Sequence, residues 1–203
     1  MHLAHLRLAE EARQGLGLDQ ILWIPAGQPW HRDSPQASSA QRLAMVRLAV
    51  ADHPAFQVDS TEAESGLPSY TVPTLERLRL QYGKQRPLVL LLGADAFAGL
   101  NRWHRWTELF DLSHLAIACR PGFDLSADQL PEEVARQYLA RRVDTPAALK
   151  QSPAGLITGF AMTPLAISAT RIRHLLSCSE SARYLLPDAV IDYIQRHQLY
   201  QTP

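Results

Sequence analysis

Cysteine is scarce in this chain. Cys119 and Cys178 are the only two in 203 residues, which is too few for a disulfide framework, and they are not spaced to share a metal. Cys119 closes the apolar run "LAIACR" and reads as a buried thiol. Charge of one sign is also missing, since 20 Lys and Arg balance 20 Asp and Glu. That balance argues against an extended nucleic-acid surface and against a polybasic membrane patch, while leaving room for a small cationic pocket. No stretch approaches the roughly 20 apolar residues of a membrane span. His2, His5, Arg7 and Glu10 break up the opening, where a secretory signal would need an apolar core. Together these absences predict a soluble, cytoplasmic protein.

Several catalytic signatures are lacking as well. There is no G-x-S-x-G elbow, no P-loop lysine motif and no G-x-G-x-x-G fingerprint, so covalent serine hydrolysis, ordinary NTPase chemistry and nicotinamide dehydrogenation are weak readings. Internal repeats, low-complexity tracts and linkers are absent too. What remains is globular composition, 46% apolar and 20% charged, in a length that suits one domain spanning residues 1–203.

Hydrophobic periodicity supplies the architecture. Residues 3–16 read as an amphipathic helix with Leu6, Ala9 and Ala12 on one face, stopped by Gly15 and Gly17. "ILWIPA" is a short buried strand, followed by the polar loop "GQPWHRDSPQAS". A helix over 39–52 and the alternating strand "FQVDST" come next. "SYTVPTLERLRLQYG" reads as a helix with Pro73 in its first turn, Ser69 or Thr71 as its cap and Gly83 as its stop. "PLVLLLGAD" is the most apolar run and is bounded like a central parallel strand. "HLAIACR" and "GLITGFAM" are further strands, residues 124–152 are mostly helix and loop, and helices near 169–176 and 187–196 close the chain. Alternation of this kind predicts an α/β fold, a parallel sheet whose ligands sit beyond the strands' carboxyl ends.

Five segments carry candidate chemistry, each with two readings. His2 and His5 share one helix face at a helix start, where an anion is favoured, or else are polar residues on a frayed end. In "ISATRIR" a hydroxyl caps a helix whose first turn bears Arg171 and Arg173. Cations there oppose the helix dipole and make sense beside a bound anion, or are plain surface arginines. Asp95, just past Gly93, accepts hydrogen bonds from ribose or caps the following helix. One of Trp103 and Trp106 is a platform for a planar ring, or both are core. "IPAGQPWHR", with His31 and Arg32, is a binding loop or solvated charge.

Taken in order, these segments resemble the bacterial nicotinate-nucleotide adenylyltransferases, within the nucleotidyltransferases that bear H-x-G-H-type motifs. "HLAHLRLAEEA" is similar to the family's histidine motif, "IPAGQPWHR" to I-P-x-x-x-P-P-H-K, "RLAMVRLAV" with Arg42 to the next helix, and "SYTVPTLERL" to S-Y-T-x-x-T-L. "LLGADAFAGLNRWHRWTEL" resembles the G-x-D…W-x-x-W segment, "CRPG" and "ISATRIR" the R-P-G and I-S-S-T-x-I-R motifs, and "LPDAVIDYIQRHQLY" the last helix. The resemblance implies a Rossmann-like, doubly wound parallel sheet in a three-layer α/β/α arrangement. It also implies adenylyl transfer from ATP to nicotinate mononucleotide, which yields nicotinate adenine dinucleotide and pyrophosphate in NAD synthesis. By motif position, His2, His5, Ile167, Ser168 and Arg171 would serve the ATP phosphates, with His2, His5 and Arg171 catalytic. Gly93 and Asp95 would hold the nucleotide's ribose or backbone. Tyr70, Thr71, Trp103 and Arg120 would contact the pyridine nucleotide, with Trp103 stacking on its ring. Mg²⁺ would ride on the ATP phosphates without a metal site of the protein's own. No nucleic-acid or membrane partner is expected, and the chain is expected to be a monomer or a weak homo-oligomer.

The chain departs from the family pattern at four points. Ala4 stands where glycine is usual, Ala169 replaces a serine, and "PWH" replaces "PPH". The family's opening strand and Gly-rich turn, about G-G-T-F-D-P-[IV]-H, have no counterpart before His2. A central strand would thus be missing, leaving inner strands with unpaired backbone groups at about 1–3 kcal/mol each when buried. The expectation is a true start about 10–20 residues upstream, with Met1 written for an initiating GTG codon. The competing readings are a non-catalytic nucleotide-binding remnant and a related adenylyltransferase acting on nicotinamide mononucleotide or phosphopantetheine.

Overall fold

A computed structural model describes residues 1–28, 36–119 and 125–201. They form two compact units, one of Met1–Glu10, Asp19–Ser69 and Pro164–Pro203, the other of Glu11–Leu18 and Tyr70–Thr163. The fold is α/β with parallel pairing throughout its named strands. His31, Arg32 and Arg120 lie outside the described residues.

Helix α1 (Leu3–Gly15) starts in the first unit. Its end is set by glycine: Gly17 takes a φ of 63°, which lets the Leu18 N–H reach back to the Arg13 carbonyl at 2.9 Å. In the first unit β1 (Ile21–Trp23) runs parallel to β2 (Phe56–Val58), with Ile21 opposite Phe56. Between them lies α2 (Ser39–Val50), opened by a reciprocal capping box of Ser38 and Gln41. A short helix α3 (Thr61–Ser65) follows β2. At five residues it is too short to show periodicity, and the sequence pattern missed it.

The second unit holds α4 (Thr71–Tyr82), β3 (Val89–Gly93), α5 (Ala94–Ala98), α6 (Leu109–Leu112), β4 (His114–Cys119), α7 (Glu132–Arg141) and β5 (Ile157–Ala161). Its ladder has the order β3-β4-β5, with Val89 opposite His114 and Leu115 opposite Ile157. The chain then returns to the first unit for α8 (Ala169–Ser177) and α9 (Asp188–Arg196). Ile172 of α8 packs with Met45 of α2 and with Val190 and Ile194 of α9 in that unit's core.

Three local expectations are corrected. The middle of the three-stranded ladder is β4, buried from His114 to Ala118, whereas Val89, Leu90 and Leu91 of the more apolar β3 are half-buried. Apolarity reports how a strand's faces are covered and not how many neighbours it pairs with. Neither Ser69 nor Thr71 caps α4. Tyr70 holds the cap position with no side-chain capping hydrogen bond, and the Ser69 hydroxyl instead accepts the Gly27 N–H at 2.8 Å. Cys119 is half-buried, at the end of β4.

Two buried polar side chains close the second unit. Arg79 is 9% exposed. It donates to the carbonyls of Leu112 (2.8 Å), Arg86 (2.6 Å) and Pro153 (2.6 Å), with longer contacts to Gly83 and Lys84. Backbone dipoles solvate this cation and tie α4 to the end of α6 and to the loop before β5. His114 is fully buried. Its Nδ1 accepts the Leu156 N–H at 3.1 Å, so the ring proton sits on Nε2 and is donated to the Ser152 carbonyl at 2.8 Å. Burial lowers its pKa, and a second proton would face a donor.

Arg79→Met is expected to cost about 3–5 kcal/mol in urea unfolding, because it leaves several buried carbonyls unpaired at once. A histidine kept neutral in the fold binds its proton more readily when unfolded, so its contribution to stability is complete above about pH 6.5 and lost as pH falls below that. His114→Gln should therefore flatten the decline of the urea midpoint between pH 7 and pH 5. An unchanged slope would show that this ring does not drive it.

Candidate functional site

The first unit gathers the candidate anion-binding residues. His2 and His5 lie at the start of α1, and their rings stack with centroids 3.7 Å apart and planes at 15°. The Leu3 N–H donates to the Leu185 carbonyl at 3.0 Å, which anchors this helix end. His2 is 6% exposed, and its Nδ1 is buried with no hydrogen-bond partner. A buried polar atom left open in this way asks for a ligand or water. Desolvation lowers the His2 pKa to about 4. His5 is lowered too, by desolvation and then by the adjoining His2, although its own surface is exposed. Two stacked neutral imidazoles are thus offered at a helix N-terminus, where backbone N–H groups and the dipole already favour an anion.

The start of α8 belongs to the same unit. The Ser168 hydroxyl accepts the Arg171 N–H at 3.2 Å and caps the helix. Buried Ile172 fixes the helix roll, and Ile167 packs on the same core. Arg171 itself is exposed. Arg173 is the arginine whose charge reaches the Met1 amine and the Tyr200 phenol. The motif contained this information, since Arg173 occupies the final arginine of I-S-x-T-x-I-R, yet the sequence reading rested on Arg171. Arg42 is a second residue to which the sequence pattern assigns no role. One terminal nitrogen donates to the Ala26 carbonyl at 2.5 Å and the other to the Gly27 carbonyl, fixing the exit of β1. Gly27 is obligatory there, because a Cβ would meet the Glu62 carbonyl oxygen at 2.3 Å. Tyr200 is the third. Burial raises its pKa, opposed by Arg173 and Arg42, and no sequence pattern singled it out.

The second unit holds the other candidates. Gly93 ends β3 and takes the cap position of α5. Asp95 stands exposed in the first turn of α5, and the capping role is not realised. Tyr70 and Thr71 are half-buried at the start of α4, and the Tyr70 ring lies 4.9 Å from that of His104. Trp106 packs edge-on against Phe110 at 6.1 Å, the packing role foreseen for one of the two tryptophans. Trp103 is half-buried. Among the described residues no three His, Cys, Asp or Glu side chains are grouped to hold a metal ion, and no helix is long and apolar enough to cross a membrane.

The cytidylyltransferase-like family matches residues 1–175. A protein of Dechloromonas aromatica named probable nicotinate-nucleotide adenylyltransferase is 57% identical over 201 residues, covering 99% of this chain and 93% of its own length. A protein of the same name from Acidithiobacillus ferrooxidans is 48% identical over 206 residues, covering 100% and 92%. The solved structure of Plasmodium falciparum nicotinic acid mononucleotide adenylyltransferase complexed with NaAD shares the fold, with a TM-score of 0.69 at 15% identity over 98% of this chain and 91% of its own. The chain belongs to the cytidylyltransferase-like nucleotidyltransferases. Within that class, its family is that of the nicotinate-nucleotide adenylyltransferases.

With both imidazoles neutral at pH 7, an anion that takes hydrogen bonds from them stabilises the protonated form and raises the pKa from its low starting value. Binding then takes up protons, and the dissociation constant falls as pH falls between the free and bound pKa values. Calorimetry of ATP binding near pH 6.5, in two buffers of different ionisation enthalpy, should report net proton uptake that shrinks in His2→Gln. Equal uptake by the two proteins would remove His2 from phosphate contact.

Proposed function

We propose that this chain transfers the adenylyl group of ATP to nicotinate mononucleotide. A phosphate oxygen of the mononucleotide attacks the α-phosphorus in line, the bond to the β-phosphate oxygen breaks, and pyrophosphate leaves. The observation that carries the reading is the stacked His2–His5 pair, with its buried, open Nδ1, at a helix N-terminus. Identity of 57% to a protein named for this activity supports it. No nucleophile of the protein is required. The chemistry rests on positioning and on stabilising charge at the phosphates.

His2 and His5 would hold the ATP phosphates, helped by Ser168 and Arg171 at the start of α8, by Arg173 beside them, and by the Ile167 backbone. Gly93 and Asp95 would contact the nucleotide's ribose or backbone. Tyr70, Thr71, Trp103 and Arg120 would take the pyridine nucleotide, with the indole of Trp103 against the ring. The residues assigned here to the phosphates offer imidazole and guanidinium donors, which suit anionic phosphate and not a bare cation. Mg²⁺ would therefore come bound to phosphate oxygens and water, neutralising charge there. The protein would act in the cytoplasm as a single domain over residues 1–203, as a monomer or weak homo-oligomer, without nucleic acid or membrane.

Pyrophosphate release should be seen with ATP plus nicotinate mononucleotide, and more slowly when nicotinamide mononucleotide or phosphopantetheine replaces it. His2→Asn should lower kcat by about 10²–10³, the scale of losing one charge-stabilising donor. Release with none of the three acceptors would overturn the reading in favour of a non-catalytic nucleotide-binding protein.

A further inference from the structure

The turn that carries Trp103 is built around a residue in an unfavourable conformation. Arg105 has a φ of 56°, the left-handed region that side chains other than glycine disfavour. The Trp103 N–H donates to the Leu100 carbonyl at 2.9 Å, the Trp106 N–H to the Trp103 carbonyl at 3.2 Å, and the Glu108 N–H to the Arg105 carbonyl at 3.0 Å. What holds Arg105 there is its guanidinium. Nε donates to Glu108 Oε1 at 2.8 Å, and Nη2 donates to Glu108 Oε2 and to Glu76 Oε1, both at 2.6 Å. Nη1 reaches Glu76 Oε2 at 3.4 Å. Glu108 lies just beyond the turn, whereas Glu76 sits on α4, five residues after Thr71. A second tie runs from His104 to Tyr70, with ring centroids 4.9 Å apart. The turn bearing Trp103 is thereby fastened at two points to the helix that opens with Thr71.

We propose that Arg105 is a positioning residue for the mononucleotide: by bridging Glu76 and Glu108 it fixes the Trp103 turn relative to Tyr70 and Thr71, and so sets affinity for the pyridine nucleotide. This rests on the reading that Trp103 and Thr71 contact that substrate. An aromatic platform whose plane is already set binds without first paying to order a loop, and planar two-pronged pairing is what fixes orientation as well as distance. Lysine cannot reproduce that fork. The three side chains are 35% (Arg105), 44% (Glu76) and 45% (Glu108) exposed, so the network's role in overall stability is small while its role in local geometry is direct.

Steady-state kinetics with both substrates tests the proposal on Arg105→Ala, Arg105→Lys, Glu76→Gln and Trp103→Ala, with thermal midpoints as the check on folding. Arg105→Ala and Glu76→Gln should each raise the KM for nicotinate mononucleotide about tenfold, leaving kcat and the KM for ATP within about twofold. Arg105→Lys should fall between wild type and Arg105→Ala. The double variant Glu76→Gln/Arg105→Ala should be no worse than the worse single one, because both remove the same link. If Trp103→Ala raises that KM while Arg105→Ala and Glu76→Gln do not, the positioning role is wrong and the assignment of Trp103 stands. If Trp103→Ala itself leaves the KM unchanged, the assignment of Trp103 fails and the positioning role fails with it. Parallel changes for both substrates, or a fall in kcat alone, would also overturn the proposal by marking a general structural effect.

Discussion

Parallel strand pairing is the constraint on which the rest depends. Two parallel strands cannot be joined by a tight turn, so each strand must leave at its carboxyl end and return through a crossover. In the first unit that exit follows β1, where Ala26 and Gly27 are clamped by Arg42 and by the Ser69 hydroxyl. In the second it follows β3, at Gly93 and Asp95, and β5, where the Thr163 N–H and hydroxyl both donate to the Glu11 carboxylate at 2.7 and 2.5 Å. The ladders end at or close to these points, with Gly93 the last paired residue of β3, and strand exits of this kind can carry chemistry.

A second theme is how this neutral chain accommodates buried polar groups. Arg79 and Arg42 are met by main-chain carbonyls, and His114 by one carbonyl and one amide. Carbonyl dipoles satisfy a guanidinium without cancelling its charge, so Arg42 keeps a positive field near Tyr200. The Nδ1 of His2 is buried without a hydrogen-bond partner, as is the Nε of Arg42. Arg42 is anchored through both of its terminal nitrogens all the same, whereas the open nitrogen of His2 is left for a ligand or water.

Much of this was legible from single residues and short patterns. Gly17 and Gly83 mark helix ends, with φ values of 63° and 87°. The Ser168 cap, the strand "HLAIAC" and the pairing of His2 with His5 were all readable from spacing. Other points were not. Helical spacing placed Arg171 and Arg173 together in a first turn, but roll is set by Ile172 entering a core built from α2 and α9, and it is the charge of Arg173 that opposes the rise burial gives the Tyr200 pKa. Ser69 looked like a cap because of its place before α4, and was instead recruited by an amide 42 residues away. The link from Arg105 to Glu76 likewise spans 29 residues, a separation for which no local pattern gives a signal.

By itself the sequence determined the longer helices and the strands, the parallel α/β class, the ordered motifs that place the chain in its family and the residue types available at each strand exit. Those follow from periodicity and turn chemistry, which act over a few residues. Tertiary structure alone decided which strand lies in the middle of the three-stranded ladder, which arginine of α8 acts electrostatically on the phenol of Tyr200, that Arg42 and Arg79 are solvated by carbonyls, and that His2 keeps an open buried nitrogen. Each of these depends on side chains and backbone groups distant in sequence excluding water from one another, and no local rule encodes where that happens.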